Sequence, residues 1–213
     1  VPEMERRGVE VFLGTMERSN VQLVEEVLAD PEIGGRLGGV AFQWAGKGAV
    51  PFVHHDHPEL KIYQSEQECG DGKNDWRYAR YAWGMMRHYF TNGASVYDYW
   101  NLALDEGGVS RWGWSQNSFV TVDPETAQYR FNHEYYVWKH LAHFVHTGAR
   151  FAPTLSYTGY ENVLAFVNPD GSVVLAAQND MSTDMPISFG VDGRLVRLTL
   201  PADSISTVLL PAG

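Results

Sequence analysis

The hydrophobic pattern of this chain changes near residue 150, and that change limits the folds open to it more than any other feature. Upstream, β-type runs alternate with helical spacing or loops in four units, which is typical of a parallel sheet built from βα units. Downstream, short alternating runs are separated by the turn-forming steps 169–171 and 192–193, which is typical of antiparallel strands. The sequence therefore predicts an α/β fold in which residues 1–149 form half of a (β/α)8 TIM barrel and residues 150–213 form an antiparallel β-sandwich lobe.

Local signals place the individual elements. Ser19 or Asn20 is suited to cap a helix after the first strand. Polar loops are expected around 54–58 and from the fourth strand to about Asp123. The predicted strands cover 9–13, 39–44, 60–64, 95–100, 161–167, 172–178, 186–189, 194–200 and 206–210, and the two best-marked helices cover 75–90 and 132–145.

Composition excludes several classes of function. A formal net charge of −10 disfavours binding to nucleic acid or to an anionic membrane surface, whereas neutral sugars remain compatible. The single cysteine, Cys69, excludes an intramolecular disulfide framework. No apolar run approaches the about 20 residues of a membrane span, and the start shows no signal peptide, so a soluble chain is expected. Val1 is not an initiating Met, which is compatible with processing or truncation, and the sequence does not fix a compartment.

Glu66 is the first candidate catalytic residue, because it follows a β-type run and precedes a glycine-containing loop. In (β/α)8 enzymes the chemistry lies where strands end and βα loops begin. The alternative is that Glu66 is a solvated loop acid or a helix cap. Glu68 follows two residues later and is expected on the same side of an extended segment.

Several residue strings stand out in their order along the chain. They are VEVFLGTMER at 9–18, GVAFQW at 39–44, YQSEQECGDGKN at 63–74, ASVYDYWNLAL at 94–104, GWSQN at 113–117 and FNHEYY at 131–136. In this order they resemble glycoside hydrolase family 30, which contains glucosylceramidases and bacterial β-glucosidases. The resemblance covers nearly the whole chain.

The resemblance implies retaining hydrolysis of a β-glycoside, a reaction divided between two carboxyl groups about 5 Å apart. It implies that Glu66 is the nucleophile, that no cofactor is needed, and that glucosides are the first substrates to consider. It also implies substrate-binding positions, with Glu68 in an accessory role at the pocket. These positions are Trp100, Asn117, Gln43, Trp44 and Glu68.

The acid/base residue of the pair is not found. In the family it follows the fourth barrel strand in an Asn-Glu-Pro context, and this chain contains neither an Asn-Glu nor a Glu-Pro step. The resemblance implies that the chain begins just before the fifth strand, and a full barrel needs about 250 residues. Glu17, Glu68 and Glu106 are the substitutes that the chain itself offers.

Structural roles are alternatives for most of these residues. Trp44 and Trp100 could be packing residues of the barrel, and Asn117 could be a turn former. Trp112 and Trp114 lie in a loop rich in Gly and Ser, where they either wall the aglycone side or pack under the loop.

Two histidine groups are candidates for metal sites, but their spacing disfavours both, and no metal is predicted. The group at 54–57 crowds its ligands on consecutive residues. The group at His133, His140, His143 and His146 lacks the paired i, i+4 arrangement of helical zinc motifs.

A half-barrel needs a partner, because bare strand edges recruit other strands. We expect either a homodimer that closes an eight-stranded barrel or a separate polypeptide that carries the other strands and the acid/base Glu. The alternative function is a carbohydrate-binding half-barrel that is catalytically incomplete.

Overall fold

A computed structural model describes residues 1–212, and the chain divides into two compact units, Val1–His133 and Glu134 to the end. The helices are α1 (Pro2–Arg6), α2 (Val21–Leu28), α3 (Val50–Asp56), α4 (Trp76–Thr91) and α5 (His133–Ala142). The strands are β1 (Phe12–Met16), β2 (Gly39–Gln43), β3 (Lys61–Glu66), β4 (Ala94–Tyr97), β5 (Ala103–Asp105), β6 (Val120–Val122), β7 (Tyr129–Phe131), β8 (Arg150–Ala152), β9 (Val163–Val167), β10 (Val173–Asn179), β11 (Met185–Val191), β12 (Arg194–Leu200) and β13 (Ser204–Leu210).

The first unit contains a parallel sheet with the strand order β1-β2-β3-β4, so each strand pairs with its neighbour in sequence. This order confirms the parallel sheet predicted from the alternating pattern. Parallel neighbours need crossover connections, and α4 supplies the one between β3 and β4. The assignment of this sheet to half of a barrel, and the domain limits 1–149 and 150–213, stay predictions.

Side-chain caps mark the starts of α2 and α4, two helices that the sequence predicted in the first unit. Asn20 caps α2, since its side chain accepts a hydrogen bond from the Leu23 amide at 3.1 Å. Asp75 caps α4 in the same way, at 2.9 Å from the Tyr78 amide. The buried residues of α4 follow the spacing of one helix face: Ala79, Ala82, Trp83, Met86 and Tyr89.

The predicted polar loop around 54–58 is wrong. Residues 44–49 form a 3₁₀ helix and α3 follows directly, so that only the end of the segment is a loop. Pro51 in the first turn suits the start of a helix, and Val50 and Val53 are fully buried in the core of the unit. The histidines at 54 and 55 occupy the last turn of α3 and obscured its helical character in the sequence.

The predicted long loop between β4 and about Asp123 also contains regular structure. Strands β5, β6 and β7 form a small mixed sheet in which β5 and β6 are parallel and β6 and β7 are antiparallel. Each strand has three residues, too few for an alternating pattern to stand out in the sequence.

The second unit contains an antiparallel sheet of order β13-β10-β9-β8 and a hairpin of β11 and β12. Asp192 and Gly193 connect the hairpin with φ of 48° and 74°, as expected from a primed turn. Val163 and Ala177 of the larger sheet share a hydrophobic cluster with Leu200 and Phe189 of the hairpin. Two sheets with a common core confirm the predicted sandwich, and α5 belongs to this unit.

Candidate active site

The candidate residues gather at the carboxyl edge of the parallel sheet. Gln43 is the last residue of β2 and pairs with Glu66, the last residue of β3. Trp100 lies three residues beyond the end of β4. Because the carboxyl ends of parallel strands meet at one edge, the backbone places these positions together, as catalytic residues are placed in barrel enzymes.

An irregularity in β3 sets the register of Glu66. Phe42 pairs with Gln64 but Gln43 pairs with Glu66, so Ser65 is one residue in excess on β3. The Ser65 hydroxyl donates to the Phe42 carbonyl at 3.1 Å, which satisfies a backbone acceptor at the irregularity. Such bulges redirect the side chains that follow them and are common beside active sites.

Glu66 accepts a hydrogen bond from the indole of Trp44. The Trp44 Nε1 to Glu66 Oε1 distance is 2.8 Å, and both side chains are half-buried. A hydrogen bond to a carboxylate stabilises its charged form, which is the form a nucleophile needs. Trp44 adopts φ of 47°, in the left-handed region that bulky residues seldom occupy.

Glu68 is held by two side chains. Its Oε1 pairs with the Lys47 ammonium and its Oε2 accepts a hydrogen bond from the Tyr81 hydroxyl. The Tyr78 hydroxyl donates to the Glu68 carbonyl. Burial, followed by the hydrogen bond to Glu68, raises the pKa of Tyr81 well above its usual value, so this phenol remains a proton donor to the carboxylate.

Asn117 organises the loop that follows the nucleophile position. Its side chain is fully buried, and its Oδ1 accepts hydrogen bonds from the amides of Gly72 at 2.8 Å and Asn74 at 3.3 Å. The backbone N–H of Asn117 donates to the Cys69 carbonyl at 2.6 Å. Gly70, at φ of 71°, approaches the Asn117 amide so closely that a Cβ would lie 2.5 Å from it. Asn117 thus has a structural role beside the predicted contact with sugar hydroxyls.

Two cavities adjoin these residues. Glu66 lines a narrow void of about 10 Å³, and a wider, open cavity of about 730 Å³ lies beside it. Trp44 and Glu68 line both, whereas Glu66 does not line the wider one. The remaining residues around the wider cavity are Cys69, Gly70, Arg77, Tyr78, Tyr81, Trp114 and Ser115.

Three further tryptophans present their rings to solvent. Trp100 is 41% exposed, Trp112 is 63% exposed and Trp114 is 49% exposed. Trp112 and Trp114 stack with ring centroids 5.8 Å apart, and the Arg111 guanidinium lies 5.0 Å above Trp112. Since they are exposed, neither Trp112 nor Trp114 packs under its loop. Trp100 is likewise too exposed for a core residue, and its peptide bond with Asn101 is cis.

The other carboxylates considered as proton donors are engaged in ion pairs. Glu17 follows β1 and pairs with Arg18 at 2.6 Å on the surface. Glu106 pairs with Arg130 at 2.5 Å, and the hydrogen bond from that guanidinium lowers the pKa of Glu106. A general acid needs a raised pKa, so the pairing of Glu106 disfavours this role.

The histidines have structural partners. His57 Nε2 lies 2.9 Å from a Glu25 oxygen, and His140 Nδ1 lies 2.8 Å from the Thr207 hydroxyl. Within residues 1–212, His, Cys, Asp and Glu form no group of three or more that could hold a metal ion. In the same range, every helix is too short or too polar to cross a lipid bilayer.

Sequence reasoning missed Lys47, Tyr78 and Tyr81. The i, i+3 spacing of Tyr78 and Tyr81 places both phenols on one face of α4 and was the available signal. Lys47 gave no signal of its own, because its partner Glu68 is 21 residues away along the chain.

The second unit matches a known family model. Residues 154–208 match the model described as the Glycosyl hydrolase family 30 beta sandwich domain. Residues 154–208 are thus similar to the β-sandwich domain of glycoside hydrolase family 30. This confirms the resemblance read from the sequence strings.

Relatives extend the similarity to the first unit. Lysosomal acid glucosylceramidase of Mus musculus is 28% identical over 207 residues, which cover 87% of this chain and 39% of that protein. SrfJ from Salmonella typhimurium has a TM-score of 0.87 at 26% identity, covering 100% of this chain and 50% of the other. The chain therefore spans half or less of the length of these relatives.

A more distant structure shows the same fold. The glycoside hydrolase family 30 subfamily 8 xylanase Xyn30A from Clostridium acetobutylicum has a TM-score of 0.76 at 17% identity, with 96% of this chain and 56% of that chain covered. The likeness thus includes both the parallel sheet and the antiparallel sheets.

Proposed function

We propose that this family 30 chain supplies the nucleophile of a retaining β-glycoside hydrolase, with Glu66 in that role and glucosides as the first substrates. The observation that carries the proposal is the Trp44 to Glu66 hydrogen bond of 2.8 Å at the carboxyl edge of the parallel sheet. This contact aims an N–H donor at the carboxylate, at the position where barrel enzymes carry their chemistry. The glucosylceramidase similarity supports the same substrate class.

In the proposed reaction the Glu66 carboxylate attacks the anomeric carbon while the glycosidic C–O bond breaks, forming a covalent glycosyl–enzyme ester. A second carboxyl group protonates the departing oxygen and then activates the water that hydrolyses the ester. Trp100 offers an exposed indole face to the C–H groups of the sugar, and Gln43, next to Glu66, is placed to contact its hydroxyls. Asn117, Trp44 and Glu68 complete the proposed substrate side.

The wider cavity is the proposed location of the aglycone. Trp44 forms one wall, Trp114 another, and the stacked pair of Trp114 with Trp112 extends this wall into solvent. Exposed aromatic rings of this kind suit an apolar aglycone or the C–H face of a second sugar.

The acid/base residue is proposed to come from a second half-barrel, either another copy of this chain or a complementing polypeptide. Within residues 1–212, β1 and β4 are the outer strands of the parallel sheet. Strands added at these edges would extend the sheet and bring further strand ends to the same rim.

The test of the proposed function is hydrolysis of a panel of aryl β-glycosides by the purified chain, beside the Glu66→Gln variant. We expect turnover in the unaltered chain and a loss of about 10³-fold or more in Glu66→Gln, since the amide cannot form the covalent ester. Glu10→Gln is the matched control, because Glu10 pairs with Lys61 on the surface at the other end of β3. Equal turnover in Glu66→Gln and the unaltered chain would refute the role of Glu66.

The second candidate is a carbohydrate-binding half-barrel that does not cleave its ligand. The exposed tryptophans favour sugar binding, and the sequence lacks an Asn-Glu-Pro context. A binder would release no product from any glycoside and would keep its affinity for the sugar in Glu66→Gln, as measured by calorimetry.

A further inference from the structure

A continuous set of contacts joins Glu68 to the proposed nucleophile. The Lys47 ammonium pairs with Glu68 Oε1 and also donates to the Trp44 carbonyl, with an Nζ to O distance of 3.3 Å. The indole of Trp44 in turn donates to Glu66 at 2.8 Å. Glu68 is therefore linked to Glu66 through Lys47 and Trp44.

The conformation of Trp44 needs such support. At φ of 47° a bulky residue lies in a sparsely populated region, and such backbone persists only where surrounding contacts over-determine it. The 3₁₀ segment that begins at Trp44 is also fixed elsewhere: the His88 ring donates to the Lys47 carbonyl at 2.8 Å. Gly46 lies so close to Met16 that a Cβ would be 1.9 Å from its carbonyl oxygen.

Glu68 is itself fixed by two side chains. Both of its oxygens are occupied, Oε1 by Lys47 and Oε2 by the hydroxyl of Tyr81 on α4. Because Tyr81 donates its proton to this carboxylate, Glu68 is suited to hold a cation and poorly suited to give up a proton. This arrangement disfavours Glu68 as the substitute for the missing acid/base residue.

We propose that Glu68 is a positioning residue: by holding Lys47 it fixes the carbonyl of Trp44 and keeps the indole N–H of Trp44 on Glu66. The inference rests on the proposed function, since only there is Glu66 a nucleophile. The inference also predicts that the Trp44 to Glu66 hydrogen bond depends on the carboxylate of Glu68. This dependence can be measured without turnover.

The experiment observes the indole N–H signals of the seven tryptophans by ¹H–¹⁵N NMR. The Trp44 signal is the one lost in Trp44→Phe. In Glu68→Gln we expect this signal to move upfield, as the hydrogen bond to the carboxylate lengthens, while the other six stay in place and report an intact fold. Glu10→Gln breaks a Glu–Lys pair of 2.7 Å elsewhere on the surface and serves as the matched control, with no shift of the Trp44 signal. An unchanged Trp44 signal in Glu68→Gln would overturn the proposal.

Turnover supplies the second readout. We expect Glu68→Gln to lower kcat by about tenfold or more with little change in KM, since Glu66 loses the contact that orients its carboxylate for attack. In the Trp44→Phe background the same substitution should have no further effect, because both act through one contact. Equal losses in the two backgrounds would contradict the link through Trp44. If the unaltered chain shows no turnover by itself, the homodimer form of the proposed function fails, and the NMR comparison still decides the positioning role.

Discussion

At the scale of single residues, Asn117 joins two segments that the site needs. Its side chain accepts from the amides of Gly72 and Asn74 in the loop after β3, and its carbonyl accepts from the Asn101 amide after β4 at 3.4 Å. The loop that follows Glu66 and the segment that carries Trp100 are thus tied to one buried residue, the first through its side chain and the second through its backbone carbonyl. Any contact with sugar would be added to this structural role.

We predict that Asn117→Ala destabilises the fold by about 1–3 kcal/mol, because it leaves buried backbone donors without an acceptor. The free energy of unfolding in urea measures the effect. Asn92→Ala is the control, since the Asn92 side chain donates to the His88 carbonyl at the end of α4, away from this loop. Unfolding of both variants at the same urea concentration would argue against a special role of Asn117.

The sequence could point to Glu66 because it stands at the end of a β-type run, where strand position alone carries information, whereas Trp44 was a candidate only through the resemblance to glycoside hydrolase family 30. It could not identify Lys47 or Tyr81, because their importance depends on contacts with Glu68 across 21 and 13 residues. The redirection of Glu66 by Ser65 was likewise invisible, since a bulge is a property of two paired strands.

At the scale of elements, long helices and strands could be predicted from the sequence more accurately than short ones. Helix α4 has 16 residues and two sequence signals, a cap and a periodic buried face, and it was predicted to within one residue at each end. Strand β12 was predicted with the same limits as observed. The three-residue strands β5 to β8 were missed, because their pairing, rather than their composition, defines them.

Helix α5 offers a test at the same scale. His140 of α5 contacts Thr207 of β13, whose hydroxyl donates to the His140 carbonyl at 3.2 Å and accepts from Nδ1 at 2.8 Å. Burial lowers the pKa of His140, so the folded state disfavours its protonated form.

We predict that the second unit loses stability as the pH falls below about 6.5, the usual pKa of histidine, until the lower pKa of the folded state is reached. The sign follows because the unfolded chain takes up this proton at a higher pH than the folded chain. Melting temperature against pH measures the effect. His140→Gln should flatten the profile between these limits, whereas His143→Gln, at an exposed position, should leave it unchanged. Identical profiles for His140→Gln and the unaltered chain would contradict the assignment.

At the scale of the whole molecule, the outer strands of the parallel sheet bear on the partner hypothesis. Along the sequence, β1 and β4 are the first and last strands of a parallel sheet, and each pairs with one neighbour among residues 1–212. An outer strand presents backbone donors and acceptors that can pair with a further strand. The proposed homodimer would use both edges at once. A twofold axis that pairs β1 of one copy with β4 of the other also pairs β4 of the first copy with β1 of the second.

Such a dimer would have twice the 24.0 kDa mass of the chain, and sedimentation equilibrium would measure it. Because each proposed site would need both copies, specific activity should rise with protein concentration and level off where the dimer is fully formed. A complementing polypeptide predicts the reverse: a mass of 24.0 kDa at all concentrations and activity only after that polypeptide is added. A stable monomer whose specific activity is independent of concentration would contradict both forms of the partner hypothesis, and would return the search for the acid/base to the carboxylates of this chain.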